Sequence, residues 1–202
     1  MSDFDARAET WDEDPRKQLR GNAVADAIRA SVPMAHTWKA LEYGAGTGLL
    51  SFALKDDLGG ITLADSSSGM LEVAERKILA ANAAHMRTAS LDLTRDPTPD
   101  ERFDLLFSMM TLHHIPDTLG ILRTFTGLLS PDGWLALADL DAEDGSFHGP
   151  GVDVHHGFER DDLAEQMRAA GLSEVSINTC FEIERGTRNY AVFLAVGRAA
   201  SS

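Results

Sequence analysis

The sequence predicts an α/β protein with a Rossmann-like, doubly wound sheet of seven mostly parallel strands, an antiparallel last strand and helices on both faces. From Trp38 onward, short apolar runs alternate with helical segments, which is typical of successive β-α units and therefore of a parallel sheet. The last two strand-like runs are separated by the short segment 184–187. This segment suits a hairpin turn, which makes the final strand antiparallel.

The individual elements follow the hydrophobic pattern along the chain. Apolar residues near helical spacing predict a leading helix over 18–32, which ends before Pro33. Ser67 suits the N-cap of a later helix, Gly171 suits the position after the last helix, and 130–133 predicts a tight turn. The predicted strands are 38–43, 61–65, 86–91, 103–108, 134–140, 174–183 and 189–197, and the predicted core helices are 47–58, 69–84, 118–129 and 160–170.

Length and composition favour one globular domain over 1–202, because a chain of this size buries roughly 70% of its unfolded surface. We divide it into an N-terminal arm and helix (1–33), a ligand-binding core (38–140), an irregular insertion (141–158) and a C-terminal helix and hairpin (159–198). The formal charge of −14 repels phosphate backbones and anionic lipid surfaces, so neither nucleic acid nor membrane is an expected partner.

The single cysteine and the N-terminal sequence bear on location. Cys180 has no second cysteine to pair with, and its place in an alternating segment favours a core thiol. The acidic N-terminus lacks a basic and apolar leader, and there is no run of about 18 apolar residues. We therefore expect a cytoplasmic protein, as a monomer or a homodimer.

The chain is organised around the stretch 41–50, LEYGAGTGLL. Gly44, Gly46 and Gly48 lie between an apolar strand and a helix. Glycine accepts positive φ, and it lets backbone N–H groups approach a ligand without an intervening side chain. The stretch predicts a nucleotide-sized cleft.

Acids at the strand ends indicate what this cleft holds. Asp65 falls 21 residues after Gly44, the distance at which a second-strand acid reaches the hydroxyls of a ribose. The dinucleotide pattern G-x-G-x-x-G is absent, because Leu49 stands where its third glycine belongs. Glu42, two residues before the first glycine, disfavours a diphosphate and suits an ammonium group. S-adenosyl-L-methionine (SAM) has a ribose, an adenine, an ammonium and no phosphate, and it therefore suits this cleft. The alternative is a nicotinamide-dependent oxidoreductase of the same fold, which would leave Glu42 unexplained.

The ordered set of motifs resembles the class I SAM-dependent methyltransferases, of the small-molecule group, over about residues 16–200. The motifs are LEYGAGTGLLSFAL, LADSSSGML, LDL, FDLLFSMMTLHHIPD and LLSPDGWLALADLD. The resemblance implies cofactor contacts for Glu42 (ammonium), Gly44, Ala45, Gly46 and Gly48 (methionyl part), Asp65 (ribose), Ser66 and Met70 (adenine face), Asp92 (adenine amino group), the Leu93 N–H (adenine ring nitrogen), and Ser108 and Met109 (ammonium and sulfonium).

The acceptor side is less defined by the sequence. Methyl transfer from a sulfonium depends mainly on alignment, so a general base is optional. His114 and His156 are the candidates for such a base, and His113, His148, His155 and Trp11 are the candidates for acceptor contact. Plain structural roles stay open for all of these residues, and Trp11 equally suits an anchor for the N-terminal arm. We expect no metal, although the group formed by His148, Asp153, His155 and His156 has the ligand types that zinc or iron accept.

The expected function is therefore SAM-dependent methylation of a small molecule, with the acceptor bound near 141–158. Two alternatives remain open at this point. One is the nicotinamide-dependent oxidoreductase, and the other is a SAM-binding regulatory protein that no longer transfers methyl.

Overall fold

The predicted alternation of strands and helices is present in the computed structural model, which describes residues 3–149 and 151–201. The helices are α1 (Asp3–Arg7), α2 (Pro15–Ser31), α3 (Leu49–Leu54), α4 (Ser68–Ala80), α5 (Thr118–Leu128) and α6 (Arg160–Ala169), with 3-10 segments at Ala8–Glu13 and Leu112–His114. The strands are β1 (Lys39–Tyr43), β2 (Gly60–Asp65), β3 (Met86–Ser90), β4 (Phe103–Met109), β5 (Leu129–Leu140), β6 (Leu172–Arg185) and β7 (Arg188–Ala199).

The seven strands form one sheet in the order β3-β2-β1-β4-β5-β7-β6. Strands β1 to β5 pair in parallel, and β7 is antiparallel to both of its neighbours. The predicted fold class is therefore confirmed. The strand order reverses between β1 and β4, and ligands of open α/β sheets bind outside the carboxyl ends of the strands at such a point.

Two apolar cores cover the two faces of the sheet. Side chains alternate between the faces along each strand, so that Ala40 and Leu105 face one core while Leu41 and Leu106 face the other. Helices α2, α3 and α4 contribute to the first core, and α5 and α6 contribute to the second. This double coverage explains why the central strands are nearly continuous apolar runs.

Side chains and glycines at the helix ends explain where several helices begin and stop. Asp14 accepts from the Arg16 N–H at 3.0 Å at the start of α2, and Pro15 suits the first helical position. Ser67 accepts from the Met70 N–H at 3.2 Å and caps α4, as predicted. Gly171 follows α6 with a φ of +97°, which confirms its predicted role.

The structure differs from the sequence expectations in two places. Residues 130–133 were expected to form a free turn before a strand, but β5 already begins at Leu129, which pairs with Phe103. The turn survives as an irregularity inside the strand, where Asp132 adopts a φ of +63°. The N-terminal arm was expected to be an acidic segment without regular structure, yet Asp3–Arg7 and Ala8–Glu13 are helical.

Two further features of the sequence have a structural counterpart. The Cys180 thiol is half-buried against the Val192 carbonyl, and burial raises its pKa to about 11, which suits the predicted core thiol. None of the helices in the described part of the chain is both long and apolar enough to cross a bilayer.

Candidate active site

The glycine turn lies at the carboxyl end of β1, beside the point where the strand order reverses. Gly44 and Gly48 have φ values of +70° and +82°, a region that residues with a Cβ atom rarely adopt. A Cβ atom on Gly44 would lie 2.3 Å from the Thr111 hydroxyl oxygen, and one on Gly48 would lie 2.6 Å from Leu63. The turn therefore packs directly against the loop after β4, and both positions require glycine.

Asp65 joins the glycine turn to the loop after β2. Its Oδ2 atom accepts from the Gly46 N–H at 2.7 Å, and its Oδ1 atom accepts from the Ser67 N–H at 2.8 Å. Burial raises the pKa of this carboxyl group, against the lowering effect of these backbone donors. The carboxylate is therefore held at the mouth of the cleft, and its predicted role at the ribose hydroxyls stays a prediction.

Glu42 lies underneath the turn, with only 2% of its surface exposed. Its Oε2 atom accepts from the Ser51 N–H at 3.0 Å and from the Ser51 hydroxyl. Burial raises the pKa of Glu42 to about 8, even though the Ser51 donors lower it. Glu42 thus fixes the start of α3 relative to β1, and its predicted contact with an ammonium group requires approach through the turn.

The adenine side of the expected site is organised around the end of β3. The Asp92 Oδ1 atom accepts from the Thr94 N–H at 3.0 Å, and the Leu93 N–H donates to the Tyr43 hydroxyl at 3.1 Å. The predicted bond from Leu93 to an adenine ring nitrogen would therefore have to replace the bond to Tyr43. Met70 is buried beneath Gly46, and Ser66 is exposed beside Asp65.

The end of β4 carries the remaining predicted cofactor residues. The buried Ser108 hydroxyl donates to the Tyr43 carbonyl at 2.6 Å and so ties β4 to β1. Met109 is half-buried, and the next residue, Met110, adopts a φ of +58°. A residue other than glycine is strained at such a positive φ, and backbone strain of this kind is concentrated at functional sites.

The histidines divide into an inner group and an outer group. His113, His114 and His148 form the inner group, with ring centroids 4.2 Å apart for His113 and His114 and 4.8 Å apart for His113 and His148. His155 forms a structural contact, because its Nε2 atom lies 3.0 Å from the Ile115 carbonyl oxygen. His156 is exposed and lies against Gly145, so the structure does not bring it to the inner group.

Asp139 is a site residue that the sequence analysis missed. It lies one residue before the end of β5, is 1% exposed, and places its Oδ1 atom 2.6 Å from the His113 Nδ1 atom. An acid inside the apolar run WLALADL was the available signal, because a buried strand rarely carries an unpaired carboxylate.

Arg20, on α2, is a second residue that was missed. Its Nε atom is buried and has no hydrogen-bond partner among the described residues. Burial lowers the pKa of the guanidinium, and the nearby Arg185 lowers it further while Asp139 raises it. Gly21 next to it packs on Leu49, directly after the glycine turn. A cation at this place fits a carboxylate such as that of the methionyl part of SAM.

The N-terminal arm covers this end of the sheet. Asp12 accepts from the Thr47 hydroxyl at 2.5 Å and pairs with Lys77 at 2.7 Å. Asp5 accepts from the Ser67 hydroxyl at 2.6 Å. Trp11 anchors the arm, because the Lys17 ammonium lies 3.4 Å from the centre of its ring.

The arm also reaches the inner histidines. The Phe4 ring stands edge-on to Trp11 at 5.9 Å and to His114 at 5.7 Å. The two interpretations of Trp11, as anchor and as part of a cover over the ligand, are therefore compatible. Among residues 3–149 and 151–201, no group of three or more His, Cys, Asp or Glu residues is arranged to hold a metal ion.

The sheet order, the glycine turn after β1 and the acid that ends β2 together define a class I SAM-dependent methyltransferase domain. Comparison with known proteins supports the same class. The model of the family described as "Methyltransferase domain" matches residues 41–137, and the chain carries a domain of this family. The cofactor pair of the class is SAM and its product S-adenosyl-L-homocysteine (SAH).

Individual relatives give the extent of the likeness. The chain is 32% identical over 141 residues to a ubiquinone biosynthesis O-methyltransferase of Xanthomonas campestris pv. campestris, covering 68% of this chain and 58% of that protein. A complex of the Haloferax volcanii Trm112 methyltransferase activator with a putative methyltransferase matches with a TM-score of 0.79, 20% identity and 99% coverage of both chains. The DhpI–SAH complex matches with a TM-score of 0.76, 22% identity and coverage of 98% and 94%.

Each kind of likeness supports a different conclusion. At these identities the two structures show the fold alone. The chain spans little more than half the length of the Xanthomonas relative.

Proposed function

We propose that this chain transfers the methyl group of SAM to a small-molecule acceptor. The observation that carries the proposal is the turn from Glu42 to Gly48, which is held by Asp65 at the carboxyl end of a sheet of methyltransferase order. When bound, SAM supplies a methyl group on a sulfonium, which is already a good leaving group.

The residues that would hold the cofactor divide by the part of it that they face. Asp65 would take the ribose hydroxyls, and Asp92 would take the adenine amino group. The Gly44 and Ala45 N–H groups donate to the Ala64 carbonyl and the Gly46 N–H donates to Asp65, so the glycines would offer the methionyl part close approach of the backbone rather than free donors. Arg20 has a buried Nε atom without a hydrogen-bond partner among the described residues, and such a donor would suit the methionyl carboxylate.

The protein would contribute mainly alignment and exclusion of water. Holding acceptor and methyl donor in register can contribute about 7–11 kcal/mol to a displacement of this kind. The arm covers the cofactor loops through Asp5 and Asp12, so that it encloses the place where the two reactants would meet.

A small acceptor is favoured by the electrostatics. The net charge of −14 opposes binding of polyanions such as nucleic acid. His148, from the insertion after β5, packs on the rings of His113 and His114, so the insertion contacts the loop after β4. The name of the Xanthomonas relative, a ubiquinone biosynthesis O-methyltransferase, agrees with this proposal.

The cofactor part is tested by thermal unfolding with ligand. A ligand at 100 times its Kd that binds only the folded chain adds about 2.7 kcal/mol, or about 5–10 °C in Tm for a domain of this size. We expect SAH to raise the Tm by this amount and NAD to leave it unchanged. A shift with NAD and none with SAH would favour the oxidoreductase alternative instead.

The transfer part is tested with tritiated SAM and a panel of small acceptors. A labelled product is the expected result. Binding of SAH without transfer to any member of the panel would favour the regulatory alternative. Transfer that begins only when an activator protein is added would point to assembly with a partner, as in the Haloferax complex.

The cellular setting completes the proposal. We propose a cytoplasmic enzyme that acts as a monomer or a homodimer. Light scattering coupled to size exclusion, with the chain mass of 21.9 kDa as reference, distinguishes the two states.

A further inference from the structure

A buried carboxylate and a buried imidazole meet at the carboxyl ends of β4 and β5. Asp139 and His113 are each 1% exposed. The Asp139 Oδ1 atom lies 2.6 Å from the His113 Nδ1 atom and accepts from the Leu140 N–H at 2.8 Å, and its Oδ2 atom accepts from the His113 backbone N–H at 3.2 Å. The carboxylate is thus held by one backbone donor on β5 and one in the 3-10 segment after β4.

This arrangement selects one tautomer of His113. An ionised carboxylate only accepts hydrogen bonds, so the Nδ1 atom carries the proton and donates it to Asp139. The Nε2 atom then keeps its lone pair and has no hydrogen-bond partner among the described residues. His113 therefore presents a fixed proton acceptor.

The pair stands next to the cofactor cleft. Thr111, two residues before His113, donates from its hydroxyl to the Gly44 carbonyl at 3.4 Å. The strained Met110 precedes it. A buried carboxylate is costly unless it is hydrogen-bonded, so the presence of one beside the glycine turn calls for a chemical explanation.

The rings that surround His113 are uncharged. Burial lowers the pKa of both His114, to about 4, and His148, so these neighbours are neutral near pH 7. The His148 Nε2 atom is buried and has no hydrogen-bond partner among the described residues. Asp139 is the charged group that touches His113, and Arg20 and Arg185 lie further out.

The other histidines are less suited to the task. His155 is fixed outward, with its backbone N–H on the His113 carbonyl at 2.9 Å and its ring on Ile115. His156 is exposed and lies against Gly145. His114 lacks an orienting carboxylate, and its lowered pKa makes it a weak base.

We propose that His113, oriented by Asp139, removes the proton from a hydroxyl group of the acceptor, so that this chain is an O-methyltransferase for a small molecule with a weakly acidic hydroxyl. The inference rests on the proposed function. His148 would bind a second donor of the acceptor through its free Nε2 atom.

The step balances in charge and atoms. The acceptor O–H proton moves to the His113 Nε2 atom, the oxygen forms a bond to the methyl carbon, and the carbon–sulfur bond breaks with its electron pair going to sulfur. One positive charge leaves the sulfonium and one appears on the imidazolium, where the Asp139 carboxylate stabilises it. The proton later passes to solvent.

The test uses tritiated SAM and phenols, each matched with the aniline and the thiophenol of the same skeleton. We expect transfer to the phenols and not to the matched anilines. His113→Gln and Asp139→Asn should each lower kcat by about 10²–10⁴-fold, with the SAH Kd within about threefold of wild type. The double variant should lose no more than the single variants, because the two residues act as one unit.

The matched control is His36→Gln, at an exposed histidine before β1 and therefore at the opposite end of the sheet. It should leave kcat within about twofold. Unchanged turnover in His113→Gln, loss of the same size in the control, or transfer only to the anilines would overturn the inference. If His113→Gln fails to fold, Asp139→Asn decides.

A measurement without turnover keeps this test separate from that of the proposed function. Nitrogen-15 NMR of the histidine rings should show a slowly exchanging Nδ1 proton on His113 that is lost in Asp139→Asn. A His113 ring with its proton on Nε2 would sink the inference even if the chain transfers methyl. Absence of transfer to every acceptor, with SAH bound and the Nδ1 proton present, would instead count against the proposed function and therefore against this step.

Discussion

Arg20 has a buried side-chain nitrogen, the Nε atom, that lacks a hydrogen-bond partner among the described residues. Leaving a buried donor unsatisfied costs about 1–3 kcal/mol, and more when the group is charged. The charged groups nearest to the guanidinium include Arg185 and Asp139, so it lies near the carboxyl end of β5. A ligand carboxylate would remove this cost.

Arg20→Gln should weaken SAH binding by about 10- to 100-fold, which corresponds to one or two charge-assisted hydrogen bonds. Isothermal titration measures the effect. 5′-Methylthioadenosine keeps the adenosine and the thioether but lacks the amino acid, so its Kd should not change in this variant. Asp65→Asn is the matched comparison and should weaken both ligands. Equal losses for both ligands in Arg20→Gln would contradict the assignment.

Glu42 should couple cofactor binding to pH. Burial raises its pKa to about 8, so the folded chain holds a proton there at pH 7 that the unfolded chain, with an ordinary pKa near 4.5, does not. The stability from this group is therefore fully present below about pH 4.5 and is lost as the pH rises through about 8. A ligand ammonium near Glu42 lowers its pKa and releases the proton.

Binding of SAH at pH 7 should therefore release part of one proton, and the affinity should rise with pH up to about 8. Titrations in phosphate and in Tris, whose ionisation enthalpies differ, measure the release directly. Glu42→Gln and the ligand 5′-methylthioadenosine should each abolish it. Proton release that persists in Glu42→Gln would show that another group responds.

At the scale of elements, the N-terminal arm lies over the loops that follow β1, β2 and β4. Its acids contact both cofactor loops, with Asp12 on Thr47 and Asp5 on the N-terminal end of α4. Its aromatic residues contact the loop after β4 through Phe4 and His114. Because these contacts are few and partly exposed, opening of the arm costs less than unfolding of the sheet.

Asp12→Ala should raise the dissociation rate and the Kd of SAH by about three- to tenfold, because it removes a hydrogen bond and a half-buried ion pair with Lys77. Surface plasmon resonance measures both constants. Glu9→Ala is the matched control on the same arm, since Glu9 pairs with Arg76 at an exposed position. Its effect should stay within about twofold. Equal effects in both variants would argue against closure by Asp12.

The predicted elements agree with the structure wherever local pattern and tertiary packing favour the same conformation. Strand β2 and helix α4 follow from an apolar run that ends in Asp65 and from the Ser67 cap. The arm was missed because its helices have few apolar residues and are held by contacts distant in sequence, such as that of Asp5 with Gly69 at 3.1 Å. Residues 130–133 form a turn locally, but pairing with β4 absorbs it into a strand.

At the scale of the whole molecule, stability should decrease from the centre of the sheet to its edges. Strands β1, β4 and β5 are paired on both sides and covered on both faces, whereas β3 and β6 are edge strands. Hydrogen exchange should therefore be slowest in β4 and fast in the arm over 3–13. SAH should add protection in the arm and the glycine turn, and little in β6. An arm as protected as β4 would contradict a cover that opens.

The sequence alone determined the fold class, the glycine turn and the acids at the ends of β1, β2 and β3, because these depend on local periodicity and on spacing along the chain. Only the tertiary structure decided how the histidines divide. The sequence offers six candidates for the base or for acceptor contact, five of them histidines, and the local sequence does not rank the histidines. In the structure, Asp139 contacts His113, although the two residues are 26 positions apart in the chain. Contacts between distant strand ends depend on sheet order and register, and neither is written in the local sequence.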